Sequence, residues 1–168
     1  LYEKCFKVKD NVLAGKENGK WVLHDLEEYL QTALNISCAL LKLGIKKGDK
    51  IATISNNRPE WNFVDMGIMQ IGAVHVPIYP TISAEDYEYI LKHAGIKYVF
   101  VSGNEIIRKI GHILKAVENI NDVYSFTHVE GYKHFNEIIE FGKQNQDLNK
   151  IEKIKTSINK DDIATLIY

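Results

Sequence analysis

The sequence predicts an α/β fold: a doubly wound, mostly parallel sheet flanked by helices, with a small N-terminal β-hairpin. Three observations carry that expectation. Short apolar runs, at 51–54, 73–76, 98–101, 123–126 and 163–168, alternate with helix-period patterns along the chain. Gly and Pro punctuate the joins tightly. And the stretch 48–79, GDKIATISNNRPEWNFVDMGIMQIGAVHVPIY, spells strand, helix, strand with short connections, as in a parallel βαβ unit.

Taken in order, residues 11–23 read as a hairpin, with Asn18-Gly19 between two apolar runs as its turn. Asp25 then stands as a helix N-cap, with Glu28 three residues on in the capping-box position. Leu26, Leu30, Ala33, Ser37 and Leu40 share one helical face, and Gly44 ends the pattern. The first strand of the βαβ unit, Ile51–Ile54, opens into the polar elbow Ser55-Asn56-Asn57-Arg58. Pro59 follows at the first helical position, where no amide partner is lost. The helix from Trp61 to Ile71 is apolar on most sides, which predicts burial at the centre of the molecule with Trp61 in the core. Ser83 and Asp86 form a second capping box, and Gly95 closes that helix. Ile106, Ile107, Ile110, Ile113, Leu114 and Val117 stripe the next one. Phe135, Ile138, Ile139 and Gly142 suggest a short helix, residues 143–160 a polar surface linker, and 161–168 a last strand with exposed apolar surface.

At 168 residues the chain fits one domain with a core large enough to fold without staples. Its 45% hydrophobic and 26% charged content is that of a globular protein, and a net charge of −1 argues against nucleic acid as a partner. Only Arg58 and Arg108 offer planar phosphate recognition. Cys5 and Cys38 have no metal or redox spacing, which suits a reduced, cytoplasmic protein. No apolar run reaches the ~18 residues of a membrane span. Leu1 and Tyr168 read as cut ends of a longer chain.

Chemistry is sparse. Neither G-x-G-x-x-G nor G-x-x-x-x-G-K-[ST] occurs, so no loop of backbone amides for phosphates is expected. His75, mid-strand, reads as a buried imidazole with satisfied hydrogen bonds, and His93 as a helix C-terminal cation. His24, His112, His128 and His134 lack partners at ligand spacing, so no metal site is expected. Asp161-Asp162 reads as a solvated turn. Arg58, a cation at a helix N-terminus, calls for a partner, and Glu60 is the nearest candidate. No catalytic residue emerges from spacing.

Several segments together carry a family resemblance. Trp21, Asp25 and Leu26, Gly48-Asp49-Lys50-Ile51-Ala52, Asn57-Arg58-Pro59-Glu60-Trp61, Gly72-Ala73-Val74, Val76-Pro77-Ile78-Tyr79-Pro80-Thr81, Tyr89-Ile90-Leu91 with His93-Ala94, and Asp162 to Tyr168 stand in one order. That set resembles the N-terminal region of adenylate-forming acyl-CoA synthetases, closest to the long-chain fatty acid–CoA ligases. It departs at the opening segment, which in the family has Thr and Trp where Asp25 and Leu26 stand. The resemblance implies a partial N-terminal domain over 1–168: hairpin 11–23, α/β core 25–142, linker 143–160 and strand 161–168. It also implies a parent ligase, AMP-forming, that uses ATP, Mg2+ and CoA on a fatty acid, with none of the three bound by this segment alone. Tyr168 then leads into a phosphate-binding loop that lies beyond it, and Val76, Pro77 and Tyr79 lie near the acyl or CoA passage. Peripheral membrane association and a homo-oligomer stay open. Two alternatives stand beside this: the same chemistry on another carboxylic acid, and a free-standing flavodoxin-like binding module.

Overall fold

In a computed structural model, which describes residues 11–168 apart from Asn18, a five-stranded sheet carries helices on both faces. Strands β1 (Leu13–Glu17) and β2 (Lys20–His24) form the antiparallel hairpin, with Glu17 opposite Lys20. Gly19 in its turn takes φ 79°, a backbone conformation glycine adopts freely; the other turn residue, Asn18, and Cys5 lie outside the described residues. Helix α1 (Leu26–Lys42) follows, then β3 (Lys50–Ile54), α2 (Pro59–Met69), β4 (Val74–Ile78), α3 (Ala84–Ala94), β5 (Ile96–Val101) and α4 (Asn104–Ala116). The chain continues through β6 (Asp122–Ser125), β7 (Lys133–His134), α5 (Phe135–Gln144) and α6 (Leu148–Ser157). All neighbours in the sheet are parallel, in the order β4-β3-β5-β6-β7.

This is the doubly wound arrangement that alternating strands and helices predict, and its strand order is that of flavodoxin-like sheets. One face packs Ile51, Phe100, Tyr124 and Phe126 against α1, α2, α5 and Ile151 of α6. The other packs Ala52, Ile54, Val76, Val99 and Val101 against α3 and α4. Both faces of β3 and β5 are therefore covered, which is why those strands are continuous apolar runs rather than alternating ones.

The expected punctuation holds at several points. Pro59 is the first residue of α2, Ser83 and Asp86 make a reciprocal cap on α3, and Gly95 ends α3 at φ 65°. Asp25 caps α1 by accepting from the Glu28 amide at 2.8 Å. The Glu28 carboxylate, however, does not close the box; it takes the His24 imidazole at 2.9 Å instead.

Other elements differ from the sequence expectation. Residues 148–157, expected within a linker, are helical: Asp147 caps the first turn, accepting from the Lys150 amide at 3.0 Å, and Ile151 is fully buried with Ile154 packed beside it. Two apolar residues one turn apart anchor a surface helix when neighbouring elements cover them, and a composition count misses that. The segment 161–168 is not a regular strand. It makes one parallel bridge, Thr165 to His75 beyond the β4 edge, and leaves Ile163 and Ile167 exposed. With a partner on one side only, the ladder does not extend. Strand β7 was unforeseen because two residues carry no period. Trp61 is half-buried against the His75 ring, 5.0 Å between centroids, rather than in the core.

Candidate functional site

A cleft of about 1070 Å³ opens at the carboxyl ends of the strands, on the α1–α2 side of the sheet. Its floor is the elbow Ser55–Arg58 after β3, Ser102 after β5, and Phe126 and Thr127 after β6; α5 and the hairpin form the walls. The loops after β3 and β5 flank the position where the strand order reverses, since β4 lies to one side of β3 and β5 to the other. Open α/β sheets present their ligand crevice at such a switch point. The hairpin reaches it through a close approach: a Cβ at Gly15 would sit 2.7 Å from the Pro59 ring.

Arg58 dominates the cleft. Its Nε donates to Glu60 Oε2 at 2.8 Å and its Nη2 to Oε1 at 2.5 Å, a bidentate pair. Nη1 donates to the Ser102 carbonyl at 3.3 Å, tying the β3 and β5 loops together. The guanidinium also lies over the Phe126 ring, 4.9 Å from its centroid. Burial works to raise the Glu60 carboxyl, but the Arg58 guanidinium and a backbone amide outweigh it and hold the group below its ordinary value. The pair is thus a structural staple with its charge neutralised, as the sequence position of Arg58 suggested. Around it stand Asn56, Asn57, Asn62, His24, His134 and Thr127, neutral donors and acceptors.

Those residues do not fit a metal–triphosphate. The one guanidinium in the cleft is committed to Glu60, no helix opens there from a Gly-rich loop, and among the described residues no group of three His, Cys, Asp or Glu is placed to hold a metal ion. The arrangement can orient a polar, uncharged group; it cannot neutralise charge growing on phosphorus.

The other candidates lie elsewhere. His75 is fully buried, with Nδ1 2.7 Å from Asp65 Oδ1 and Nε2 2.9 Å from Thr53 Oγ1, so it joins α2, β4 and β3 as a satisfied core imidazole. Val76 is sealed in the core under α3. Pro77 is half-buried, and Tyr79 is 72% exposed with its carbonyl accepting from the Tyr87 hydroxyl at 2.8 Å. None of the three is among the residues lining the cleft. Tyr168 lies against α3, its hydroxyl 2.7 Å from His93 Nδ1. His134, by contrast, caps α5 beside the cleft, with Asn136 donating to its Nδ1 at 3.1 Å and Glu137 closing the box. Its position before Phe135-Asn136-Glu137 was the available signal, missed because histidine is an uncommon cap.

The fold and its cleft are those of an adenylate-forming ligase domain, and the chain belongs to the AMP-binding enzyme family, whose model matches residues 13–168. It is 28% identical over 159 residues to fatty acyl-CoA synthetase A of Dictyostelium discoideum, covering 89% of this chain and 23% of that protein. It is 26% identical over 170 residues to the long-chain-fatty-acid–CoA ligase ACSBG2 of Homo sapiens, covering 93% and 24%. Among solved structures, a coronafacic acid ligase from Pectobacterium brasiliense superposes with a TM-score of 0.70 at 19% identity, covering 86% of this chain and 29% of that one. An acyl-CoA synthetase from Brucella canis gives 0.66 at 20% identity, covering 83% and 26%. The chain spans about a quarter of the length of the curated relatives it matches. No helix among the described residues is long and apolar enough to cross a membrane.

Proposed function

We propose that this chain is the N-terminal part of a ligase that activates a long-chain fatty acid with ATP, giving acyl-AMP, and passes the acyl group to CoA. The observation that carries the proposal is the unbroken family match from residue 13 to residue 168. The whole protein, on this reading, uses ATP and Mg2+, and the groups that neutralise the phosphates lie outside these residues.

The geometry supports a division of labour. Backbone bonds from the His75 amide to the Ala164 carbonyl (2.9 Å) and from the Leu166 amide to the His75 carbonyl (3.0 Å) lay the last segment alongside β4. Because that bridge is parallel, the chain runs toward the same edge of the sheet at which the cleft opens. Tyr168 then delivers it into the phosphate-binding loop. The cleft itself, lined by amides and hydroxyls around a neutralised Arg58, receives a polar, uncharged part of a substrate. Val76, Pro77 and Tyr79 belong to the wall of the acyl or CoA passage on the β4 side.

The experiment is ATP–pyrophosphate exchange by the whole protein across a panel of carboxylic acids. Exchange with long-chain fatty acids is expected, and none from residues 1–168 alone. Exchange only with short, aryl or amino acids would keep the chemistry and discard the substrate. No exchange with any acid would overturn the proposal in favour of a binding module.

A further inference from the structure

We infer that His93 is a positioning residue: from the last turn of α3 it holds the Tyr168 ring and so sets the direction in which the chain leaves the sheet edge. The inference rests on the reading that residues following Tyr168 bind the ATP phosphates, and it assigns a role in that binding to a side chain on another element.

Three contacts define the arrangement. The Tyr168 hydroxyl and His93 Nδ1 share a hydrogen bond of 2.7 Å. The two rings also meet edge to face, with centroids 5.7 Å apart and planes at 87°. Tyr89, one helical turn before His93, stacks on the imidazole at 5.2 Å and 15°. The imidazole is thereby held in orientation by Tyr89 while it binds Tyr168, an aromatic arrangement in both of its favoured geometries.

Its position along the chain gives the contact its consequence. Upstream, the segment is fastened by the two His75 backbone bonds and by Leu166 packed against the α3–α4 core. Ile167 is 77% exposed. Among the described residues, the bond to His93 is the one polar tie beyond Leu166. Without it, two residues pivot freely about Leu166, and everything attached to Tyr168 starts from a variable direction. Misplacement by an ångström is enough to cost a positioned reaction on the order of a hundredfold, so a loosened start should register in nucleotide handling.

The test is made on the whole protein with three variants, read by hydrogen–deuterium exchange and by ATP–pyrophosphate exchange kinetics. In His93→Ala, amides of 163–168 should exchange about tenfold faster while those of α1 and α2 stay unchanged, and kcat/KM for ATP should fall about tenfold with KM for the fatty acid unmoved. His93→Gln, which keeps a hydrogen-bonding group at similar reach, should restore most of both. Tyr168→Phe should reproduce the kinetic loss, and adding it to His93→Ala should cost nothing further, the mark of one shared interaction. Unchanged exchange at 163–168 in His93→Ala would overturn the inference while leaving the proposed function standing. Faster exchange with ATP kinetics intact would overturn it equally. A wild-type protein with no ATP-dependent activity would instead sink the functional reading, and hydrogen exchange alone would then decide whether His93 holds the segment.

Discussion

The two faces of the sheet are built from different chemistry. Under α3 and α4 the core is aliphatic, apart from Tyr87 at its edge: Ile54, Val76, Leu91, Val99, Val101, Ile110 and Leu114. Under α1, α2 and α5 it is aromatic and polar. Phe100 stacks on Tyr124 at 5.5 Å and meets Phe135 edge-on at 6.3 Å. Ser37 donates to the Gly67 carbonyl at 2.8 Å, and His75 links Asp65 to Thr53. The aliphatic face is closed. The aromatic face runs out into the cleft through Phe126, Phe135 and Arg58. Dispersion and area hold the first face, and many near-equivalent packings satisfy them. Directional contacts hold the second, and these fix where each side chain stands, which a site requires.

That contrast can be broken at several places. The largest effect is expected at Phe100, fully buried at the centre of the aromatic cluster. Phe100→Ala should cost roughly 3–5 kcal/mol, and Leu91→Ala on the aliphatic face somewhat less, roughly 2–5 kcal/mol; denaturant midpoints compare them directly. If Phe100→Leu restores stability as fully as Leu91→Ile does, aromatic geometry is not what the first face requires.

Next comes Thr53→Val, which keeps shape but leaves His75 Nε2 without its partner in a fully buried position. A loss of about 1–3 kcal/mol is expected, the cost of an unsatisfied buried group. Thermal unfolding of the variant checks it, and a neutral result would mean that the polar groups on this face act as filler.

A smaller effect, about 1 kcal/mol, is expected from Glu60→Gln, because the ion pair with Arg58 is partly solvated. Its pH dependence is distinctive. The Glu60 pKa is lowered below its ordinary 4.5 in the folded state, so the contribution is fully present above that value and is lost as pH falls through the folded pKa. The gap in Tm between wild type and variant should therefore be constant above about pH 5 and close in more acidic buffer. A gap that stays constant into that range would place the stabilisation elsewhere.

The smallest effect is expected at Trp21, 67% exposed on the hairpin with Lys16 Nζ 5.3 Å from its ring centroid. Trp21→Ala should change stability by less than about 0.5 kcal/mol. A larger loss would show that the hairpin is part of the aromatic core rather than a wall set against it.

Legibility in the sequence followed the same division. The apolar stripe of α4 and the closing glycine of α3 were readable because they are local: a period of 3.6, or a backbone angle that glycine takes at least cost. So was the pairing of Arg58 with Glu60, two residues apart at a helix start. The cleft was not, because its walls come from Gly15, Phe126 and His134, brought together by the strand order alone. Nor was the bridge from Thr165 to His75, separated along the chain by the whole of the second half of the sheet.

What the sequence by itself determined was the identity of each layer: which segments are strands, which faces are apolar, and where helices start and stop. Burial of apolar side chains is non-directional, so a pattern suffices to specify it. Only the tertiary structure decided that β4 crosses to the far side of β3, that the Arg58 charge is spent inside the cleft, and that His93 meets Tyr168. Those depend on distance and angle between residues far apart in the chain, and hydrogen bonds and ring contacts exist only once that geometry is set.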